Sequence, residues 1–357
     1  MININDVLEK YNIKSQIADY GNGHINDTYV TDDKKYIIQR INTAIFKNYE
    51  GLMENVENVT AFLRKKIVEN GGDPERETLT VIKTADGANC VALDSDHVYR
   101  VYGYISDTVT YDEDKSPDVL YRTGAGFGKF QKMLSDYPAD TLCETIVDFH
   151  HTPKRIETLK EAIKNDIAGR AASVQKEIDF ALERAQEMSV VIDSIANGTV
   201  PLRVTHNDTK INNILFDKDS LKDLCVIDLD TVMPGSALYD FGDAMRYGAS
   251  TASEDETDLS LVNFSTECFE SFTRGFLEQV GDSLTDKEIE LLAFSAKLMT
   301  YECGIRFLTD HLNGDTYFKI HRENHNLDRA RNQFRLIEDM ESKMTVLNDI
   351  VHTIAGR

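Results

Sequence analysis

The pattern of apolar residues changes character near residue 105, and this change limits the chain to a fold with two different parts. Before this point, short runs rich in Val, Ile, Thr and Tyr predict strands, several of them alternating with period two. The predicted strands are Thr28–Thr31, Lys35–Ile41, Thr78–Thr84, Cys90–Asp94 and His97–Ile105. One amphipathic helix interrupts them at Glu50–Glu69. The first hundred residues therefore predict a small antiparallel sheet with one helix against it.

Helical periodicity dominates after residue 110. The predicted helices are Pro117–Leu134, Arg155–Ala168, Ala171–Ala196, Asp258–Val280, Thr285–Leu312 and Asn326–Ile354. A different segment, Leu202–Tyr239, carries short apolar runs between polar clusters. We therefore expect an α+β fold of two lobes, with a β-rich N-terminal lobe over residues 1–105 and a larger helical lobe over residues 106–357.

The composition narrows the classes of function. The chain has 39 Lys and Arg against 61 Asp and Glu, a formal net charge of −22. Such a balance disfavours a general nucleic-acid binder, whose affinity comes from neutralising phosphates. A metal ion or backbone N–H groups can still hold a small phosphate ligand. The five cysteines are widely spaced and the chain shows no leader-like or membrane-spanning run. We expect a cytoplasmic protein without nucleic-acid or membrane partners, either a monomer or a weak homodimer.

The most informative segment begins at His206. His206, Asp208 and Asn213 form the pattern H-x-D-x-x-x-x-N, and Asp228 follows 15 residues later, after an apolar run. Phosphoryl transfer needs one carboxylate to orient and deprotonate the attacking hydroxyl. It also needs an amide oxygen and a second carboxylate to hold Mg²⁺ against the phosphates. The order and spacing match the kinase catalytic loop. A polar turn between buried strands is the alternative, but the combined pattern favours a kinase.

Asp240 is a second candidate for the metal carboxylate, because Asp240–Gly242 spells the D-F-G tripeptide of protein kinases. It lies 32 residues after Asp208, whereas Asp228 lies 20 residues after it and follows a strand-like run. A short excursion joins the two carboxylates in kinases, so we assign the metal to Asp228, with a further contact from Asp230. Asp240 is predicted to support the catalytic loop or to cap a helix.

Longer strings carry a narrower resemblance. They are Gly21–Asn26 (GNGHIN), Thr205–Leu215 (THNDTKINNIL), Ile227–Asp243, Arg246–Thr251 and Tyr301–Phe307. On these strings the chain resembles the aminoglycoside-phosphotransferase-like kinases, the small-molecule branch of the protein-kinase fold. Among them it is most similar to those that phosphorylate the anomeric hydroxyl of N-acetylhexosamines. The resemblance implies a bilobal kinase-like fold, ATP and Mg²⁺ as cofactors, and a small-molecule sugar as substrate.

The same resemblance implies where the nucleotide binds. Gly21 and Gly23 would close over the ATP phosphates with their backbone N–H groups, although G-N-G is also an ordinary turn. The lysine that protein kinases carry on the third strand is missing, so Gln39 or Arg40 must serve. The strand register decides which of the two faces the nucleotide. Tyr104 lies where the hinge would meet adenine.

Residues on the acceptor side are also implied by the resemblance. Asp208, His24, Arg306 and Tyr317 would contact the sugar, a buried ion pair being the alternative role for Arg306. Two other functions remain open. One is a kinase of the same fold acting on choline, homoserine, methylthioribose or an aminoglycoside, and the other is a catalytically silent binding module. The silent module is disfavoured because Asp208 and both metal residues, Asn213 and Asp228, are present. The choice between GlcNAc and GalNAc is left open.

Overall fold

The computed structural model describes residues 4–21 and 25–357. The strands are β1 Ile17–Asp19, β2 Asp27–Thr31, β3 Tyr36–Ile41, β4 Val81–Ile82, β5 Val91–Asp94, β6 His97–Gly103, β7 Thr108–Val109, β8 Arg203–Thr205, β9 Ile214–Asp217, β10 Asp223–Val226 and β11 Met233–Gly235. The helices are α1 Ile4–Lys10, α2 Tyr49–Glu69, α3 Pro74–Glu77, α4 Pro117–Met133, α5 Thr152–Asn165, α6 Gln175–Arg184, α7 Val190–Ala196, α8 Ala237–Gly248, α9 Thr266–Val280, α10 Asp286–Leu312 and α11 His325–Ala355. The predicted order of strands followed by helices, and with it the α+β class, is confirmed.

The chain divides into two compact units. The first consists of Met1–Tyr111, Met133–Val147 and Asn212–Pro234, and the second of Asp112–Lys132, Asp148–Ile211 and Gly235–Arg357. The first unit therefore takes in two segments from later in the chain, one of which contains Asn213, Asp228 and Asp230. The N-terminal lobe predicted from the change in periodicity, residues 1–105, does not include these two later segments.

An antiparallel sheet in the order β1-β2-β3-β6-β4 forms the centre of the first unit, and β5 also pairs with β6. Ile38 of β3 lies opposite Val101 of β6, and the next pair in the register is Gln39 and Arg100. Because side chains alternate along a strand, these two pairs point to opposite faces of the sheet. Ile38 and Val101 join Val7 of α1 in a buried apolar cluster. The other face carries the polar pair Gln39 and Arg100.

A second small sheet, in the order β10-β9-β7, carries the segment that the motif singles out. The hairpin of β9 and β10 begins after Asn213 and ends before Asp228. The Ile227 N–H donates to the Asn213 carbonyl at 2.9 Å, which closes the base of the hairpin. At its tip, Asp217 accepts from the backbone N–H and the hydroxyl of Ser220, both at 2.9 Å. The hairpin thus fixes the backbone between the two predicted metal ligands, Asn213 and Asp228.

The second unit is built around α10, which packs against α5, α8 and α11. Its N-terminus is a capping box in which the hydroxyl of Thr285 accepts from the Glu288 N–H, and the Glu288 side chain accepts from the Thr285 N–H. Gly242 of α8 permits close packing, because a Cβ there would overlap the Ser295 carbonyl of α10. None of the helices among the described residues combines the length and apolar character of a membrane span.

Two predicted helices differ from those observed. The prediction of one helix over Ala171–Ala196 is wrong, because the 3-10 turn Glu187–Ser189 separates α6 from α7 and another, Ala171–Val174, precedes α6. Buried Ala181 and Met188 are seven residues apart and keep helical spacing across the break, so the apolar pattern does not reveal it. The helix predicted from Asp258 begins only at Thr266. Ser265 caps it by accepting from the Cys268 N–H at 3.2 Å.

Candidate active site

In the second unit the catalytic-loop sequence folds around a buried histidine. The His206 side chain is fully buried, and its ring lies 5.6 Å from the ring of Phe127 and 6.0 Å from that of Phe130. Its Nδ1 accepts from the Asp208 backbone N–H at 3.3 Å. Asn207 adopts a left-handed conformation with a φ of +65°, which few residues other than Gly, Asn and Asp tolerate. These features shape the loop backbone immediately before Asp208.

Two carboxylates of α8 hold this backbone in place. Asp240 accepts from the His206 N–H at 3.0 Å and from the Asn207 N–H at 2.7 Å, and Asp243 accepts from the Thr209 N–H at 3.2 Å. The prediction that Asp240 supports the loop is therefore confirmed. Burial raises the pKa of Asp240, while its hydrogen bonds oppose that shift.

Asp208 follows directly on the clamped backbone. One of its carboxylate oxygens, Oδ1, lies 2.8 Å from Nζ of Lys210, and 24% of its side chain is exposed. An aspartate held on a rigid loop and partly open to solvent suits a group that orients a bound hydroxyl and accepts its proton. Lys210 was not singled out by the sequence argument, although its position two residues after the aspartate is visible in the motif.

In the first unit, Asp228 stands at the end of β10 in an unusual conformation. Its φ of +59° is left-handed, and the 3-10 turn Leu229–Thr231 begins immediately after it. A non-glycine residue pays a conformational cost there, which the surrounding structure must offset. Asn213, at the other side of the hairpin, is 7% exposed. Carboxylate and amide oxygens are the ligands that Mg²⁺ prefers, so Asn213 and Asp228 fit that ion chemically.

Asp230 is held by an ion pair at one carboxylate oxygen and by a hydrogen bond at the other. Oδ1 lies 2.5 Å from Nη1 of Arg100, and Oδ2 accepts from the Asn26 amide at 2.7 Å. The turn is also tied to α2, since the Asn55 amide donates to the Val232 carbonyl at 2.9 Å. Asp230 therefore connects the turn to the sheet, and any direct contact between Asp230 and a metal stays a prediction.

The strand register separates Gln39 from Arg40. Gln39 lies on the face of Arg100 and accepts from the Nε of Arg100 at 3.0 Å and from its Nη2 at 2.9 Å. Arg40 points to the opposite face, where Nη2 pairs with Asp27 at 2.5 Å. Arg100 was missed in the sequence argument because an arginine within β6 looks like any other polar strand residue. Only the pairing of β6 with β3 shows that Arg100 lies opposite Gln39.

Of the other residues assigned to the nucleotide, Gly21 has a φ of +74°, a conformation that favours glycine. The backbone N–H of Tyr104 donates to the Lys35 carbonyl at 2.8 Å, and its ring makes an edge contact with Tyr20. Gly23 and His24 lie outside the described residues. The roles of all four in binding stay predictions.

The predicted sugar contacts of the second unit lie in an aromatic setting. The Arg306 guanidinium is 5.9 Å from the ring of Phe149 and 5.5 Å from that of Phe318, and the ring of Tyr317 packs edge-on against Phe318 at 4.7 Å. Among the described residues Arg306 has no carboxylate oxygen within 4 Å, and its predicted contact with the sugar stays a prediction. Tyr317 is 72% exposed.

Glu302 is a buried carboxylate whose two oxygens contact one hydroxyl and one histidine. Glu302 accepts from Thr152 Oγ1 at 2.7 Å and contacts His150 Nδ1 at 2.8 Å. Burial raises the pKa of Glu302, but His150, Thr152 and then Arg306 outweigh burial, so its pKa lies below the ordinary value. Burial first, and the charge of Arg306 second, lower the pKa of Arg155. Both guanidinium groups contact Phe149: Arg155 donates to its carbonyl at 3.0 Å, and Arg306 lies 5.9 Å from its ring.

The fold and the catalytic loop define a phosphotransferase of the protein-kinase-like class. The model of the phosphotransferase enzyme family (APH) matches residues 16–267, more than half of the chain, and the chain belongs to that family.

Several solved structures share this fold. An aminoglycoside phosphotransferase from Alicyclobacillus acidocaldarius is similar with a TM-score of 0.65 at 14% identity, covering 99% of this chain and 97% of that one. A microcompartment-associated aminopropanol kinase has a TM-score of 0.63 at 14% identity, with 96% and 97% covered. A choline kinase from Streptococcus pneumoniae has a TM-score of 0.56 at 12% identity, with 95% and 98% covered. At such identities the likeness shows the fold.

Proposed function

We propose that this small-molecule kinase transfers the γ-phosphoryl group of ATP to the anomeric hydroxyl of an N-acetylhexosamine, giving the 1-phosphate. The observation that carries the proposal is the loop that Asp240 and Asp243 clamp from α8, which presents Asp208 beside Lys210. Such a rigid loop supplies what phosphoryl transfer requires of the protein, namely positioning and electrostatics.

Each residue has a role in this proposal. Asp208 orients the acceptor hydroxyl and takes up its proton as the bond to phosphorus forms. Asn213 and Asp228 would hold Mg²⁺, which when bound neutralises charge on the phosphate oxygens. Lys210 places a positive charge next to the proton acceptor.

The charge around Arg306 supports a neutral acceptor over a cationic one. Arg306 and Arg155 bring two positive charges, and both oxygens of Glu302 are already engaged. A choline or ethanolamine ammonium group would be repelled by the guanidinium groups and would find little free negative charge on this side. A hydroxyl-rich sugar can instead accept hydrogen bonds from Arg306 and stack on Phe149 or Phe318. The strings quoted above favour the N-acetylhexosamine member of that class.

Proteins with a similar fold give the second candidate, an amino-alcohol or aminoglycoside kinase, because neighbours carry those activities in their names. The test is ADP release from MgATP over matched acceptors: N-acetylglucosamine against glucosamine, and N-acetylgalactosamine against galactosamine, with choline and ethanolamine alongside. We expect turnover with the neutral N-acetyl sugars and weak turnover with their ammonium counterparts. Preferred turnover of choline or an aminoglycoside would establish the second candidate instead. An Asp208→Asn preparation controls for contaminating kinases.

A further inference from the structure

Arg100 is a charged residue buried within the first unit. It lies on β6 directly opposite Gln39 of β3, and only 1% of its side chain is exposed. A buried guanidinium is costly unless it is paired and hydrogen-bonded, so the partners of Arg100 indicate its role.

Three of those partners converge on one face of the sheet. Nε and Nη2 donate to the Gln39 carbonyl oxygen, Nη1 lies 2.5 Å from Oδ1 of Asp230, and the guanidinium lies 5.1 Å from the ring of Tyr102. Burial lowers the pKa of Arg100, but Asp230 and Asp228 more than offset this, so the group stays charged. Gln39 holds the fork of Arg100 in the orientation that meets Asp230.

The turn that Arg100 reaches is the one that begins with Asp228. Asp230 is the middle residue of the 3-10 turn Leu229–Thr231, and Asp228 precedes this turn with its left-handed φ. A strained residue keeps its conformation only when its surroundings fix it. The ion pair from Arg100 to Asp230 is a direct link from the sheet to this turn.

We propose that Arg100, oriented by Gln39, supplies the positive charge that a lysine on β3 supplies in protein kinases, and that it positions the Asp228–Asp230 segment for MgATP. This inference rests on the proposed function, in its nucleotide half. Arg100 is a positioning residue, because its contacts are with Asp230 and Gln39. In this protein the positive charge is on β6 instead of the neighbouring strand β3, because Arg100 lies directly opposite the uncharged Gln39.

This geometry permits an experiment in which the charge is moved back. Arg100→Met removes the charge, and the double variant Gln39→Lys with Arg100→Met places a cation at the facing position of β3. Arg64→Met is the matched control, since Arg64 is an arginine of the same unit paired with Glu75 at 2.5 Å near the surface. MgATP affinity is measured by calorimetry, together with Mg²⁺ dependence, KM for ATP, KM for the acceptor, and thermal unfolding.

We expect Arg100→Met to weaken MgATP binding about 10- to 100-fold, the range for losing a charge-assisted hydrogen bond, with KM for the acceptor within about twofold. The double variant should regain most of that loss, and Arg64→Met should bind like the wild type. MgATP affinity unchanged in a folded Arg100→Met protein would overturn the proposal. So would a double variant that regains thermal stability without regaining affinity, since the pair would then be structural only.

Should Arg100→Met fail to fold, the double variant carries the test. Should that variant also fail, Arg100→Lys, which keeps the charge, replaces it, and binding more than about tenfold weaker than wild type contradicts the proposal. The calorimetric readout needs no acceptor. Failure of the wild type to release ADP with any sugar would therefore count against the proposed acceptor, while an unchanged MgATP affinity would count against the role of Arg100.

Discussion

Replacing Asp208 tests one chemical role separately, the uptake of the proton from the acceptor hydroxyl. Asp208→Asn preserves size and leaves the loop clamped by Asp240 and Asp243, but it removes the proposed proton acceptor. General-base groups contribute about 10²–10⁴-fold, so kcat should fall by that factor, with KM for the acceptor little changed. The anomeric hydroxyl is more acidic than other sugar hydroxyls and the transition state is loose, which favours the lower end of the range. Single-turnover kinetics measure the chemical step directly.

Asp208→Ala serves as the companion variant, because it loses positioning as well as basicity and should be slower than Asp208→Asn. A variant Asp208→Asn that keeps more than about a tenth of the wild-type rate, with chemistry limiting, would show that Asp208 is not the base. His206 is fully buried against two phenylalanine rings and accepts a hydrogen bond from the Asp208 N–H. These contacts fit a residue that stabilises the loop conformation.

Asp228 and Asp240 should respond differently to the same change. Asp240→Asn leaves a buried backbone N–H facing an amide N–H₂, which should cost about 1–3 kcal/mol of unfolding free energy with Mg²⁺ dependence unchanged. Asp228→Asn should melt near the wild type but lose Mg²⁺-dependent turnover. Thermal unfolding and a Mg²⁺ titration of both variants check this. Loss of Mg²⁺ response in Asp240→Asn, at a normal melting temperature, would reverse the two assignments.

Among the elements, α8 supports the loop that carries Asp208, and α8 is itself packed against α10. A Cβ at Gly242 would overlap the carbonyl oxygen of Ser295 and the side chain of Met299, and the backbone cannot yield. Gly242→Ala should therefore destabilise the protein by about 1–3 kcal/mol despite the better helix propensity of alanine. Denaturant unfolding measures the change. Gly281→Ala is the control, since no heavy atom lies within 4 Å of a Cβ there and its φ is negative; equal effects of the two changes would refute the packing argument.

The β9–β10 hairpin should respond to acid through Asp217. Hydrogen bonds from the Ser220 N–H and hydroxyl, with a contribution from Arg76, lower the pKa of Asp217 from 3.8 to about 2. A carboxyl whose folded pKa is depressed stabilises the protein above its unfolded pKa and loses that contribution as the pH falls through the folded pKa. Wild type should thus be more stable than Asp217→Asn at about pH 6, with the gap closing toward about pH 2. A gap that is the same at both pH values would contradict this.

Periodicity was sufficient to predict most elements. The apolar faces of α2, β3 and β6, for example, follow from the spacing of apolar residues within each segment. It could not predict which elements share a unit, since 133–147 and 212–234 join the first unit through contacts distant in sequence. Contacts between residues distant in sequence also limit what could be predicted of the candidate site. The motif predicts roles for Asp208, Asn213 and Asp228 from their spacing alone, whereas the role proposed for Arg100 depends on its register opposite Gln39.

At the scale of the whole molecule, the net charge of −22 has to be reconciled with an anionic cosubstrate. Arg100 in the first unit and Lys210 in the second each pair with a carboxylate of the segments that the kinase motif singles out. A metal ion or backbone N–H groups can hold a polyphosphate locally, so an acidic protein does not need a basic surface to bind one. The predicted absence of nucleic-acid partners follows from the same distribution and stays a prediction.

The central claim, phosphoryl transfer to the anomeric oxygen, is tested most directly by phosphorus and proton NMR of a reaction containing the protein, MgATP and N-acetylglucosamine. The account predicts ADP together with one new phosphomonoester whose phosphorus couples to the anomeric proton, no product when EDTA replaces Mg²⁺, and product formation slower by about 10²–10⁴-fold when Asp208→Asn replaces the wild type. A phosphorus signal coupled instead to the C6 protons, or consumption of ATP only when an amino-alcohol acceptor is supplied, would contradict it.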